Sequence, residues 1–185
     1  MNEAVFTELQ KEMDQSVGAL RRELAKLRTG RASTALLEHI VVDYYGAATP
    51  LNQLATMSAP EPRLLVIQPY DRSALGNIER ALLRSDLGLT PNNDGKIIRV
   101  PIPQLTEERR KELVKHVKRI GEEYRVSIRG HRRAAVERLK EAEKKKEITA
   151  DECKHGQDRV QKITDEFIGR VDKIIKAKEE EVMEV

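Results

Sequence analysis

Tryptophan is absent from these 185 residues, and two Phe and four Tyr make up all the aromatic side chains, 3% of the chain. A core so poor in rings has to be built from Leu, Val, Ile, Met and Ala, which suits helix packing on helix. The same shortage removes any platform on which single-stranded bases could stack. The lone cysteine, Cys153, excludes an internal disulfide and leaves no cysteine cluster for zinc. No stretch approaches the roughly 18 consecutive apolar residues of a membrane span. The opening Met1-Asn2-Glu3-Ala4 carries no basic-then-apolar targeting signal. A soluble, cytoplasmic chain without membrane contact is expected. Proline is missing from both ends, since all seven prolines lie between residues 31 and 105.

Signatures of catalysis are missing too. There is no Walker loop, Gly-rich dinucleotide loop or nucleophile elbow. His39, His116, His131 and His155 are scattered without metal-ligand spacing, and Cys153-Lys154-His155 alone is weak. Asp71-Arg72-Ser73 has the letters of a triad but reads as the turn and cap before a helix, with Ser73 as the capping residue. His131 falls on an apolar helical face and is expected as a packed core histidine. Neither an enzyme nor a cofactor or metal protein is expected. RNP, KH, zinc-finger and helix-turn-helix patterns are likewise absent.

What is present is helical periodicity. Phe6, Leu9, Met13, Val17, Leu20, Leu24 and Leu27 follow steps of three and four, with Thr29-Gly30 as a stop. After Thr106, an N-cap candidate followed by Glu107 and Glu108, a second stripe runs through Leu113, Val117, Ile120, Tyr124, Ile128, Ala135, Leu139 and Ala142. Thr149-Ala150-Asp151-Glu152 is a capping box. It opens a last helix carrying Val160, Ile163, Phe167, Val171, Ile174 and Val182.

The intervening segment has a different texture. Ile40–Tyr45 and Leu64–Ile67 read as strands, Ile78, Ala81, Leu82 and Leu83 as one helix, and Asn92-Asn93-Asp94-Gly95 as a turn before a strand at Ile97–Val100. The fold class expected is α+β in two domains. Residues 1–30 and 106–185 form a long three-helix bundle, and residues 31–105 form a small α/β domain inserted between its first and second helices. The chain crosses between them twice, near 29–32 and 101–106, so a hinge is expected with Gly30, Arg31, Pro103, Gln104 and Leu105 as its residues.

Charge supplies the functional signal. The formal net charge is only +3, but residues 106–146 hold 15 basic and 8 acidic side chains while residues 147–185 hold 7 and 11. On the second helix Lys111, Lys118, Arg125 and Arg132 recur every seven residues. Lys115, Arg129 and Lys140 share their face, Arg133 flanks it, and Glu122 and Val126 interrupt it. A solvated helix back is the bland reading, yet a face built only for solubility usually mixes signs. Arginine at the centre of the cluster suits bidentate phosphate contact. With no stacking platform, recognition would rest on backbone and shape, as with folded RNA.

Four stretches then carry a family likeness over the whole chain. They are Leu27-Arg28-Thr29-Gly30-Arg31-Ala32-Ser33, Val42-Asp43-Tyr44-Tyr45-Gly46 with Thr49-Pro50-Leu51, Ser85-Asp86-Leu87-Gly88-Leu89 with Pro91-Asn92, and Arg99-Val100-Pro101 through Leu105-Thr106-Glu107-Glu108-Arg109-Arg110. With Arg129 and Arg132-Arg133 they resemble the ribosome recycling factor family. The resemblance implies an L-shaped molecule, similar in outline to transfer RNA, that binds the large ribosomal subunit rRNA after termination. It implies elongation factor G as partner, with GTP hydrolysed there, and splitting of the subunits by a monomer. Arg132, Arg129 and Arg133 match the family's rRNA-contacting patch, and Arg28 and Arg31 match basic positions near the hinge; Arg28 is expected to bind RNA together with Arg132, Arg129, Arg133, Arg125, Lys118, Lys115 and Lys111. Gly130, His131 and Ala134 depart from the residues usual beside that patch. The alternative from the helix stripes alone is a coiled-coil-type protein-binding adaptor without RNA contact.

Overall fold

The computed structural model describes residues 3–184. The chain divides into two compact units. One runs up to Leu27 and resumes at Glu108–Glu184; the other is Arg28–Glu107.

The first unit holds α1 (Glu3–Ala25), α4 (Glu107–Lys144) and α5 (Ala150–Met183). Each presents one apolar stripe, and three stripes close on one core. Phe6, Leu9, Met13, Leu20, Val117, Ile120, Ile128, Leu139, Val160, Phe167 and Val171 are buried there. The capping box forms as expected. Thr149 Oγ1 accepts from the Glu152 amide at 3.2 Å, and Glu152 Oε2 accepts from the Thr149 amide at 2.8 Å. Four stripe positions, Leu27, Tyr124, Ala142 and Ile174, only pack against the core edge, and Ile175 is buried in place of Ile174. Two glycines let α4 and α5 approach. A Cβ at Gly121 would lie 2.8 Å from Ile175 Cγ1, and one at Gly156 would lie 3.0 Å from Leu139 Cδ1.

His131 corrects an expectation. It is not enclosed in the core: its side chain is 31% exposed, with Nδ1 3.1 Å from Glu12 Oε2 and Nε2 3.3 Å from Ser16 Oγ. The apolar stripe lapses between Ile128 and Ala135, and this polar cluster bridges α4 to α1 across the gap.

The second unit contains two sheets. A hairpin pairs β1 (Val41–Tyr44) with β2 (Ala47–Pro50), and a four-stranded antiparallel sheet has the order β3-β4-β6-β5. Its strands are β3 (Ala55–Glu61), β4 (Leu64–Pro69), β5 (Asn92–Asn93) and β6 (Ile98–Pro101), with a one-turn helix α2 (Leu51–Leu54) before β3. Helix α3 (Leu75–Arg84) buries Leu75, Ile78 and Leu82 in the core of this unit. The residue capping the entry to α3 is Asp71, not Ser73. Asp71 Oδ1 accepts from the Ser73 amide at 2.9 Å ahead of a 3-10 turn at Arg72–Ala74. Strands β2 and β3 have no sequence signal, since Ala47–Pro50 and Ala55–Glu61 lack the β-branched and aromatic density that marks strands.

Candidate nucleic-acid interface

At about 1.5 Å per residue, the 38 residues of α4 form a strut of about 57 Å. Gly130 does not interrupt it. The helix is continuous through this position, and a Cβ there would meet nothing within 4 Å.

The basic row lies on the shoulder of α4 that faces α5, not on its far back. Arg125 Nε donates to Asp172 Oδ1 of α5 at 2.8 Å, and its Nη1 sits 3.4 Å from Glu122 Oε2. That side chain is only 23% exposed. Partial burial opposes its charge, but the bonds to Asp172 and Glu122 outweigh burial and raise its pKa further. Arg129 Nη1 shares the same glutamate at 3.2 Å. Glu122, an interruption in the sequence pattern, is thus the carboxylate that holds two arginines of the row.

Arg132 has a different partner. Its Nη1 donates to the side-chain carbonyl of Gln161 at 3.4 Å, a neutral acceptor. Arg133 is exposed, and among the described residues Lys115, Lys118 and Arg133 pair with no acidic side chain. Lys140 stands 4.0 Å from Glu137, and Lys111 is exposed at the N-terminal end of the row. Two grooves run along the α4/α5 seam. One is lined by Arg132, Arg133, Lys140, Gln157, Asp158 and Gln161. The other brings Lys176 of α5 beside Lys111, Lys115 and Lys118, with Glu179, Glu180, Val114 and Met183 completing its lining. Lys176 was invisible to the sequence reading because it belongs to a helix that is acidic on balance.

The opposite shoulder of α4 faces α1 and consumes acids. Tyr124 donates to Glu23 at 2.7 Å, and Arg138 forms a two-armed pair with Glu8. Between α5 and α1, Arg159 reaches Glu3 at 2.9 Å and stacks 4.2 Å over the Phe6 ring. Arg170 reaches Asp14 at 3.2 Å and lies 4.5 Å over Phe167. These pairs tie acidic side chains of α1 into the bundle, on the side of α4 away from the row.

Arg28 belongs to the second unit. Its Nη1 and Nη2 donate to the carbonyls of Leu87 and Asp86 at 3.3 and 3.2 Å, so its fork straps the segment after α3. Nearby, Gly30 takes φ +77°, and a Cβ there would lie 3.0 Å from Leu105 Cγ. The two crossing segments therefore run side by side. Ala32 N donates to Pro62 O at 2.6 Å, Ile102 N donates to Arg63 O at 2.8 Å, and Arg31, Pro103 and Gln104 are exposed.

Asp71 and Ser73 belong to a local network in the second unit. Tyr44 donates to Asp71 at 2.9 Å, and Tyr45 lies 3.2 Å from Ser73 Oγ. His131 lies in the other unit. Among the described residues no three His, Cys, Asp or Glu side chains gather in a way that could hold a metal ion, and no helix is long and apolar enough to cross a membrane.

The ribosome recycling factor family model matches residues 20–183. A ribosome-recycling factor of Natranaerobius thermophilus is 57% identical over 97% of this chain and 98% of its own length. That of Bacillus subtilis is 51% identical over the whole of both chains. A solution structure of a ribosome recycling factor is similar with a TM-score of 0.76 at 46% identity, covering 99% of this chain and 97% of that one. A second similar chain, with a TM-score of 0.66 at 48% identity and 98% coverage of both, comes from a description of the T. thermophilus ribosome recycling factor and E. coli elongation factor G bound to the E. coli post-termination complex.

Proposed function

The chain belongs to the ribosome recycling factor family, and on that premise we propose that it grips large-subunit rRNA through the α4 row and acts with elongation factor G to split the post-termination ribosome. The observation that carries this reading is the uneven pairing along α4. Glu8, Glu3, Asp14 and Asp172 are held by arginines of the bundle, yet among the described residues Lys115, Lys118, Arg133 and Arg132 form no carboxylate bond. Unneutralised cations along a stiff strut suit the regularly charged backbone of folded RNA. Arg129 joins them when its glutamate is displaced.

The chain itself hydrolyses nothing; GTP turnover belongs to the partner, and the process takes place in the cytoplasm. The bundle is the wedge, and the inserted unit is what the partner pushes. The paired crossings around Gly30–Arg31 and Pro103-Gln104-Leu105 form the hinge between them. The protein acts as a monomer, because the three apolar stripes that would drive coiled-coil association are buried against one another. Co-sedimentation with large subunits across a salt series tests the grip. Salt-sensitive binding that Arg132→Ala weakens is expected. Binding indifferent to both salt and Arg132 would overturn it in favour of a protein-binding adaptor. Cysteines at 31 and 104, once crosslinked, are expected to spare binding and abolish splitting; full splitting by the locked form would remove the hinge from the mechanism.

A further inference from the structure

The α4/α5 seam treats two equivalent arginines differently. Helix α5 carries an acidic line of its own, Asp158, Asp165, Asp172 and Glu179, repeating every seven residues like the basic line Lys111, Lys118, Arg125 and Arg132. The two helices run antiparallel, with Gly121 against Ile175 and Leu139 against Gly156. Arg125 meets Asp172 directly at 2.8 Å. One heptad further along α4 and one heptad back along α5, the same register sets Arg132 opposite Asp165. No ion pair forms there. The Gln161 amide intervenes: its Nε2 donates to Asp165 Oδ1 at 2.8 Å, and its Oε1 accepts from Arg132 Nη1 at 3.4 Å.

Resting on the RNA-gripping role of Arg132, we propose that Gln161 is a positioning residue that keeps Asp165 from neutralising Arg132 while steadying its guanidinium for a phosphate. The chemistry follows from the amide's two ends. Its N–H side satisfies the carboxylate, which then has less to gain from a cation. Its carbonyl side holds the guanidinium by a neutral bond, which leaves the positive charge uncompensated. Arg125, lacking such an amide, is already committed to Asp172 and serves the bundle. The i, i+4 spacing of Gln161 and Asp165 on one helix keeps the amide in place without a long-range fold contact.

The test is a set of full-length variants assayed for binding to purified large ribosomal subunits. Gln161→Ala lets Asp165 reach Arg132, so a phosphate must displace a carboxylate; affinity is expected to fall about two- to fivefold, the range of an exposed ion pair. Adding Asp165→Asn to Gln161→Ala is expected to restore binding, and Gln161→Ala is expected to have no effect in an Arg132→Ala background. A structural role for Gln161 would show as a lowered melting temperature that Asp165→Asn does not repair, and would overturn the proposal. So would rescue by Asp158→Asn instead, since Asp158 lines the same groove. If Arg132→Ala itself leaves binding unchanged, the grip assigned to α4 fails; if Arg132→Ala weakens binding while Gln161→Ala does not, only the insulating role fails.

Discussion

Replacing Arg132 and Arg125 separately by alanine should give opposite phenotypes, although both lie on one heptad line. Of the eight cations expected from sequence on the RNA side, Arg28 is bonded to the carbonyls of Asp86 and Leu87, and Arg125 is held by Asp172 and Glu122. Lys111 has an interaction of its own, which leaves Lys115, Lys118, Arg132 and Arg133, and Arg129 once Glu122 is displaced, to meet phosphates. With about five contacts, and duplex-DNA slopes as the guide, the logarithm of the binding constant should fall with the logarithm of salt at a slope of about −4.5. That is a loss of roughly two to three decades between 50 and 200 mM salt. Arg132→Ala removes one contact, so the slope should become about −3.6. Loss of a charge-assisted bond worth about 1.5–3 kcal/mol should weaken binding about ten- to a hundredfold at low salt. Arg125→Ala should leave the slope near the wild-type value and act on the fold. Loss of an α4–α5 ion pair costs about 1 kcal/mol, or about 2–4 °C in Tm for a chain of this size. Sedimentation at four or five salt concentrations, with calorimetry on the same samples, separates the two. Equal changes of slope for both variants would refute the division of the row into bundle-holding and RNA-facing arginines.

Three further perturbations probe the fold, two in the bundle and one in the second unit. Gly121→Ala places a methyl 2.8 Å from Ile175 Cγ1 and should destabilise the bundle by about 1–3 kcal/mol. Denaturant melts should show part of that loss suppressed when Ile175→Ala is added, and an unshifted midpoint for Gly121→Ala would contradict the close approach. Tyr124 donates to the Glu23 carboxylate, and this bond first, with burial second, pushes the phenol up from 10.0 to about 12. A raised folded pKa means the stabilisation is complete below pH 10 and disappears as pH rises through about 12. Tyr124→Phe should therefore be less stable than wild type at pH 8, with the gap closing near pH 12; a gap that persists there would refute the assignment. Asp94 accepts from the Ile97 and Lys96 amides and from Arg99, which lowers its carboxyl from 3.8 to about 2. A depressed folded pKa stabilises above 3.8 and is lost as pH falls through about 2. Amide exchange at Lys96 and Ile97 should accelerate in Asp94→Asn at neutral pH and match wild type at the acid limit.

Some features were readable because their physics is local. The buried positions Phe6, Leu9, Met13, Val17, Leu20 and Leu24 follow from helical spacing alone, and the Thr149–Glu152 box forms within one turn. The turn at Asp94-Gly95 is equally local, with Gly95 at φ +89° and Asp94 bonding the next amides itself. Other features depended on partners distant in sequence. The hairpin of β1 and β2 turns through Tyr45 and Gly46, both at positive φ, and Ala47–Pro50 becomes a strand only because it pairs with Val41–Tyr44. Ser73 looked like a cap, but Asp71 reaches the orphan amide first and is itself held by Tyr44.

By itself the sequence determined where the helices run, which faces they bury, that a sheet-bearing unit interrupts them, and that one helix concentrates the positive charge. Periodicity, capping and composition are properties of neighbouring residues, so no fold is needed to read them. Only the tertiary structure decided which of those charges remain available. A guanidinium is neutralised by whichever carboxylate is nearest in space, and that distance is set by the antiparallel register of α4 against α5. The same register that joins Arg125 to Asp172 places an amide between Arg132 and Asp165 and brings Lys176 alongside Lys118.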